Sequence, residues 1–133
     1  MPILSDFTTI VGNQRILIGD NSNSSGFTSN FRTAERRSDR NAFISFMVRG
    51  MTQTDENAEV FVNDIRIGSL ENNNGGNINL WHTQSITLSG DRLNDGENTL
   101  RVDTVPIAPG TQGVGNFDDF FITNVICHFH QDS

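Results

Sequence analysis

The sequence contains no lysine, and its nine basic residues are all arginines set against 16 acidic residues. The formal net charge is therefore −7. Binding to nucleic acid depends on clustered basic side chains that displace counterions from the phosphates. This charge balance excludes nucleic acid as the expected partner.

Cysteine and long apolar segments are scarce as well. Cys127 is the only cysteine, so no disulfide can form within the chain, and the cysteine content indicates no cellular compartment. No apolar run approaches the roughly 18 residues of a membrane-spanning helix. Residues 1–7 lack the positive and apolar regions of a signal peptide. We therefore expect no membrane insertion and no signal peptide, and the localisation stays unknown, with action outside the cell left open.

Alternating apolar and polar residues dominate what is present. Residues 42–48 alternate with a period of two and are rich in strand-forming residues, which predicts a central strand. Residues 58–62 and 65–70 are separated only by Asn63-Asp64, two residue types that tolerate the positive φ of a tight hairpin turn. Further strands are predicted at 15–18, 27–32, 83–88, 98–103 and 119–130.

The pattern as a whole predicts an all-β fold. No segment carries the apolar stripe and caps of a helix, so helix is limited to a turn or two. Short strands separated by Gly, Asn and Asp indicate a single antiparallel β-sandwich, or jelly roll, of about eight strands. The length matches one domain, and we expect residues 1–133 to form it.

Three segments in order carry a resemblance to a known superfamily. They are residues 58–70 (AEVFVNDIRIGSL), 93–103 (LNDGENTLRVD) and 118–129 (DDFFITNVICHF). Together they resemble the galactose-binding-domain-like jelly rolls found as carbohydrate-binding modules and accessory domains. The resemblance covers roughly residues 40–130 and implies the fold. It specifies no ligand, because fold does not fix function.

A candidate glycan site lies around the only tryptophan. Trp81 and His82 follow a polar loop, residues 71–79, and precede a predicted strand. An indole ring offers an apolar surface to the C–H face of a sugar, and amide side chains donate to and accept from its hydroxyls. The predicted ligand-binding residues are Trp81, His82, Asn74, Asn77 and Asn79. The alternative is that Trp81 fills the core and the loop only supplies turn geometry.

Acidic and amide side chains in two segments predict a calcium site. Domains that the chain resembles often hold a structural Ca²⁺ between an early loop and the final strand, and Ca²⁺ takes six to eight oxygen ligands. The predicted ligands are Asp20, Asn21, Asp118 and Asp119. His128 and His130 share one face of the last strand, where i, i+2 spacing is compatible with a transition metal, but an ordinary solvent-facing strand end is the favoured interpretation.

Catalytic motifs are missing from the sequence. It has no Gly-x-Ser-x-Gly elbow and no phosphate-binding loop, and pairing Asp118 or Asp119 with Glu97 as hydrolytic carboxylates is not distinctive among 16 acidic residues. We therefore expect a non-catalytic, lectin-like domain that recognises a glycan. The alternative is a structural or receptor-binding subunit of a larger extracellular or tail-like particle. Because repeated sites raise avidity, a homo-oligomer is expected.

Overall fold

The chain forms two antiparallel sheets packed as a β-sandwich. The computed structural model describes residues 3–20, 22–36, 39–51, 57–71, 79–106 and 117–132. Those ranges contain a single 3-10 turn, at Gly90–Arg92, and no α-helix. The strands are β1 (Ile3–Val11), β2 (Ile16–Ile18), β3 (Phe27–Thr33), β4 (Ala42–Arg49), β5 (Ala58–Val62), β6 (Ile65–Leu70), β7 (His82–Leu88), β8 (Gly96–Val102), β9 (Val105–Pro106), β10 (Phe117–Asp118) and β11 (Phe120–Asp132).

The strand order places the last strand at the centre of one sheet. Sheet A has the order β1-β11-β4-β7, with β2 also paired to β11, and sheet B has the order β3-β8-β5-β6. β9 and β10 form a separate two-stranded ribbon. A bulge interrupts the pairing of β11 with β4 between Thr123 and Ile126, and Asn124 within it has a φ of 48°. The predicted all-β jelly roll is confirmed, with short strands raising the count above eight.

The core lies between the two sheets and follows the predicted alternation. On β4, Ala42, Ile44, Phe46 and Val48 are buried, whereas Phe43 on the other face is 41% exposed. Val60 and Val62 on β5 and Leu100 and Val102 on β8 are fully buried from the opposite sheet. Each sheet therefore has one set of side chains in the core and one set on its outer face.

The predicted hairpin is confirmed, and its turn is anchored to the rest of the sheet. Asn63 and Asp64 have φ values of 51° and 66°, as a turn with two left-handed residues requires. The Asn63 side chain accepts a hydrogen bond from the Thr99 amide and donates to Asn98. Asn98 is 2% exposed and also accepts a 2.7 Å hydrogen bond from the Asn94 amide. The turn and the following strand thus share one buried polar network.

Three strands were not predicted from the sequence: the two-residue strands β9 and β10, and the long strand β1. β1 pairs with β11 along nearly its whole length, but its alternation is inverted, because Phe7 faces outward and is 62% exposed while Asp6 and Thr8 face inward in the pairing register. A strand with polar residues on its inner side does not show the expected apolar period. The sequence pattern therefore missed it.

Candidate functional site

A depression on the outer face of sheet A contains the only tryptophan. Its volume is about 330 Å³, and it is open to solvent. Trp81 is half-buried at its edge, so the indole is neither a core residue nor fully exposed. The lining residues are Asn13, Arg15, Met47, Trp81, Thr123 and Asn124.

The position of the depression follows from strand pairing. Met47 pairs with Thr83 on one side and with Thr123 on the other, so the side chains of these three residues share the outer face. Trp81 lies two residues before Thr83 and therefore on the same side of the chain. The bulge at Asn124 turns an additional side chain toward this end of the face. Local sequence could not reveal the set, because it combines four distant segments.

His82 does not join Trp81 in the structure. It pairs with Val48, a buried core residue, and so faces the interior side of β7. Its Nε2 lies 2.9 Å from Nε2 of Gln84. Within the part of the chain that the structure describes, its Nδ1 is buried without a hydrogen-bond partner. Because successive strand residues point to opposite faces, His82 and Trp81 lie on opposite sides of the chain, and a role of His82 in glycan binding stays a prediction.

Gln84 connects the edges of the two sheets beside His82. Its Oε1 accepts a 2.8 Å hydrogen bond from the backbone amide of Glu71, and its Nε2 donates a 2.7 Å bond to the Glu71 carbonyl. Strands β6 and β7 also approach each other closely at Gly68, where an added Cβ would lie 2.9 Å from the side chain of Ile86. His82 and Gln84 therefore have a structural environment at the sandwich edge.

The predicted asparagines are only partly covered by the structure. Asn74 and Asn77 lie outside the described residues. Asn79 is described and exposed. Their participation in glycan binding stays a prediction.

The predicted calcium ligands are brought together in part. Oδ1 of Asp119 accepts a 2.8 Å hydrogen bond from the Asp20 amide, and Oδ1 of Asp20 accepts a 3.2 Å bond from the Phe117 amide. Asp118 is buried, and Asn21 lies outside the described residues. Among the residues described, no three His, Cys, Asp or Glu side chains form a group that could hold a metal ion. Calcium binding by these residues stays a prediction.

The histidine pair on β11 is placed on one face, as predicted, but its surroundings are aromatic. His128 stacks on Phe43 with ring centroids 4.4 Å apart and an interplanar angle of 14°. His130 has Nδ1 3.1 Å from the carbonyl oxygen of Asn41. Within the described ranges, neither histidine belongs to a group of three His, Cys, Asp or Glu side chains that could hold a metal ion.

Cys127 lies inside β11 and is fully buried. Burial raises the pKa of its thiol to about 12, because a thiolate would lose its hydration there. The thiol is therefore protonated at neutral pH, and only the thiolate is an effective nucleophile. This position suits a core residue rather than a reactive one.

Comparison with solved structures finds the same fold within larger proteins. A β-porphyranase of glycoside hydrolase family 86 from the human gut bacterium Bacteroides plebeius matches with a TM-score of 0.64 and 12% identity, over 98% of this chain and 21% of that one. BuGH86wt, solved in complex with neoagarooctaose, matches with a TM-score of 0.55 and 10% identity, over 99% and 20%. The chain thus spans about a fifth of the length of either protein.

A smaller protein is also similar over nearly its whole length. A family 35 carbohydrate binding module from Clostridium thermocellum matches with a TM-score of 0.48 and 13% identity, over 96% of this chain and 91% of the module. No family model and no curated protein matches the sequence. In the described residues no helix is long and apolar enough to cross a membrane. At these identities the likeness concerns the fold, and the jelly roll implied by the sequence resemblance is confirmed at that level.

Proposed function

We propose that the chain is a non-catalytic carbohydrate-binding domain that holds a glycan in the depression beside Trp81. The observation that carries this proposal is a half-buried indole at the edge of an open depression of about 330 Å³. A core tryptophan would be covered, and an incidental surface tryptophan would not line a concave surface. Binding sites for small ligands combine such apolar surface with a few convergent polar groups.

The polar groups around the indole suit sugar hydroxyls. Asn13 and Asn124 carry amides that both donate and accept hydrogen bonds, as hydroxyls do. Arg15 adds guanidinium donors and has its charged group 5.5 Å from the centre of the Phe121 ring, which helps to hold it at the edge of the site. A pyranose whose C–H face lies on Trp81 would meet these groups at its rim.

The positions of the candidate catalytic carboxylates and of the thiol support a binding role without catalysis. Glu97 is on sheet B, paired with Arg32 at 2.5 Å, and therefore on the other outer face from Trp81. Asp20 and Asp119 accept hydrogen bonds from backbone amides away from the depression. Cys127 is buried with a raised pKa. None of these groups lines the depression.

Replacing Trp81 by alanine tests the proposal. We expect Trp81→Ala to abolish binding on a glycan array and in calorimetry while leaving most of the thermal stability, since the ring is only half-buried. Leu80→Ala is the matched control, because Leu80 is adjacent and 61% exposed but does not line the depression. Neoagaro-oligosaccharides belong in the array because BuGH86wt was solved with one.

The same measurements distinguish the glycan-binding proposal from the alternative function. If the wild-type protein binds no glycan and its solution mass shows a large ring or fibre, a structural or receptor-binding subunit of a larger particle replaces our proposal. If Trp81→Ala melts normally and still binds glycan, the site is elsewhere. We also propose a homo-oligomer of defined size, because weak single sites gain avidity when repeated; a monomeric mass in solution would contradict it.

A further inference from the structure

The two outer faces of the sandwich differ sharply in charge. The outer face of sheet B carries ion pairs between Arg32 and Glu97 and between Arg66 and Glu59, and Arg101 lies over the Phe61 ring at 3.9 Å. The outer face of sheet A, as far as its side chains are described, has no carboxylate. The pairing register turns Ser, Thr, Phe, Met, Ile and His side chains outward along β1, β4, β7 and β11, and Arg49 adds a positive charge at the end of β4. In a chain of net charge −7, this is a distinct surface.

Three aromatic rings form a row across this face. Phe7, His128 and Phe43 are neighbours in register on β1, β11 and β4. The His128 ring is stacked on Phe43 at 4.4 Å and lies 6.3 Å from the Phe7 ring, tilted by 37°. Phe7 is 62% exposed and Phe43 is 41% exposed. On the side opposite His128, Phe43 is paired with Thr87 of β7.

β7 connects this aromatic row to the depression. Thr83, Ser85 and Thr87 are exposed and follow Trp81 at intervals of two, so their hydroxyls form a line along the outer face. Trp81 stands at the start of the line and Phe43 beside its end. Six residues of strand separate Trp81 from Thr87, which corresponds to about 20 Å. An apolar ring thus borders each end of a lane of uncharged hydroxyls.

We propose that this lane binds an uncharged oligosaccharide of several units along β7, with Trp81 contacting one end of the ligand and Phe43 the other. The proposal rests on the proposed glycan-binding function and extends it from one sugar to a chain. Uncharged hydroxyl side chains match uncharged sugar hydroxyls and leave no buried charge unpaired. A protein partner fits less well, because serine is depleted at protein interfaces and serine and threonine are under-represented among their hot spots.

Dependence of affinity on ligand length tests the proposal directly. Calorimetry with neutral agaro-, xylo-, manno- and cello-oligosaccharides of increasing length should show affinity rising with length for one series. Phe43→Ala should weaken the longest ligand at least tenfold and leave the shortest ligand that still binds unchanged. Trp81→Ala should abolish both. Phe61→Ala is the control, since Phe61 lies on the outer face of sheet B.

A second pair of variants tests the lane without touching an aromatic ring. Ser85→Glu places a long charged side chain between Trp81 and Thr87, and we expect it to weaken the longest ligand at least tenfold. Thr28→Glu is the control, because Thr28 is an exposed strand residue that pairs with Arg101 on sheet B. Thermal melts of all variants establish that they are folded.

The possible failures are distinguishable. No binding of any glycan by the wild-type protein defeats the proposed function itself. Wild-type binding that depends on Trp81 but has the same affinity for short and long chains, or is indifferent to Phe43→Ala and Ser85→Glu, overturns only the lane. Sedimentation equilibrium covers the remaining occupant: a wild-type dimer that Phe43→Ala converts to monomer would assign this face to a second copy of the chain.

Discussion

The side chain of Asp119 is hydrogen-bonded to the backbone of Asp20, a residue that is distant from it in the sequence. Its Oδ1 accepts a 2.8 Å hydrogen bond from an amide 99 positions earlier, and so joins the segment after β2 to the start of β11. Gly19 permits this approach, because a Cβ at that position would collide with the same carboxylate. The contact therefore needs both a carboxylate at one position and no side chain at the other.

We predict that Gly19→Ala lowers the free energy of unfolding by about 1–3 kcal/mol, the usual cost of overpacking. Urea unfolding measures the change. Gly12→Ala is the matched control, since a Cβ there meets nothing within 4 Å, and it should leave stability almost unchanged. Equal stability of the two variants would show that Asp119 moves aside without cost.

Calcium, which we propose on the sequence resemblance, is tested by thermal unfolding. Calcium takes carboxylate and carbonyl oxygens and water as ligands, and the carboxylates of Asp20 and Asp119 lie in hydrogen-bonded segments next to each other. Binding to the native state would add about 2.7 kcal/mol of stability at a hundredfold excess over the dissociation constant. We expect the melting temperature to rise from EDTA to millimolar Ca²⁺ and the rise to vanish in Asp119→Asn. Identical melting in both buffers would remove Asp20, Asn21, Asp118 and Asp119 from consideration.

Asn98 should be among the costliest polar residues to replace. Its side chain accepts from the Asn94 amide and donates to the carbonyls of Asn94 and Gly96, each at 3.1 Å. Asn98→Ala removes the partner of these part-buried groups, which we expect to cost about 3 kcal/mol. Thr99→Ala, one residue along and half-exposed, is the comparison. A loss below about 1 kcal/mol for Asn98→Ala would mean that water replaces the amide.

Cys127 should make stability fall at high pH. Its pKa rises from an ordinary value of 9.0 to about 12 on folding, so the unfolded chain releases this proton first. The stabilising contribution is complete below about pH 9 and is lost as pH rises toward 12. Cys127→Ala should remove this part of the pH dependence while lowering stability at neutral pH. Rapid alkylation of the native thiol at pH 8 would contradict the burial argument.

Local patterns predicted the parts of the fold that depend on neighbours in sequence. The hairpin at Asn63-Asp64 and the alternation along β4 were readable because turn conformation and strand period are local properties. Of the residues that line the depression, the sequence predicted only Trp81, because the other lining residues come from distant segments of the chain. Phe7, Phe43 and His128 meet through the pairing register of three strands, and no interval in the sequence encodes that register.

The position of β11 between β1 and β4 bears on how the chain folds. Gln131 and Asp6, whose side chains are hydrogen-bonded, are 125 positions apart, and sheet A cannot be completed before this late strand has been synthesised. Contacts between such remote segments stabilise the fold only after a long loop has closed. Folding times for such topologies therefore lie in the range of milliseconds to seconds. Until then, β1 and β4 expose the edges that β11 will cover, and unpaired edges of this kind recruit other chains. The central place of β11 therefore makes the nascent chain vulnerable to aggregation during the interval in which sheet A is incomplete.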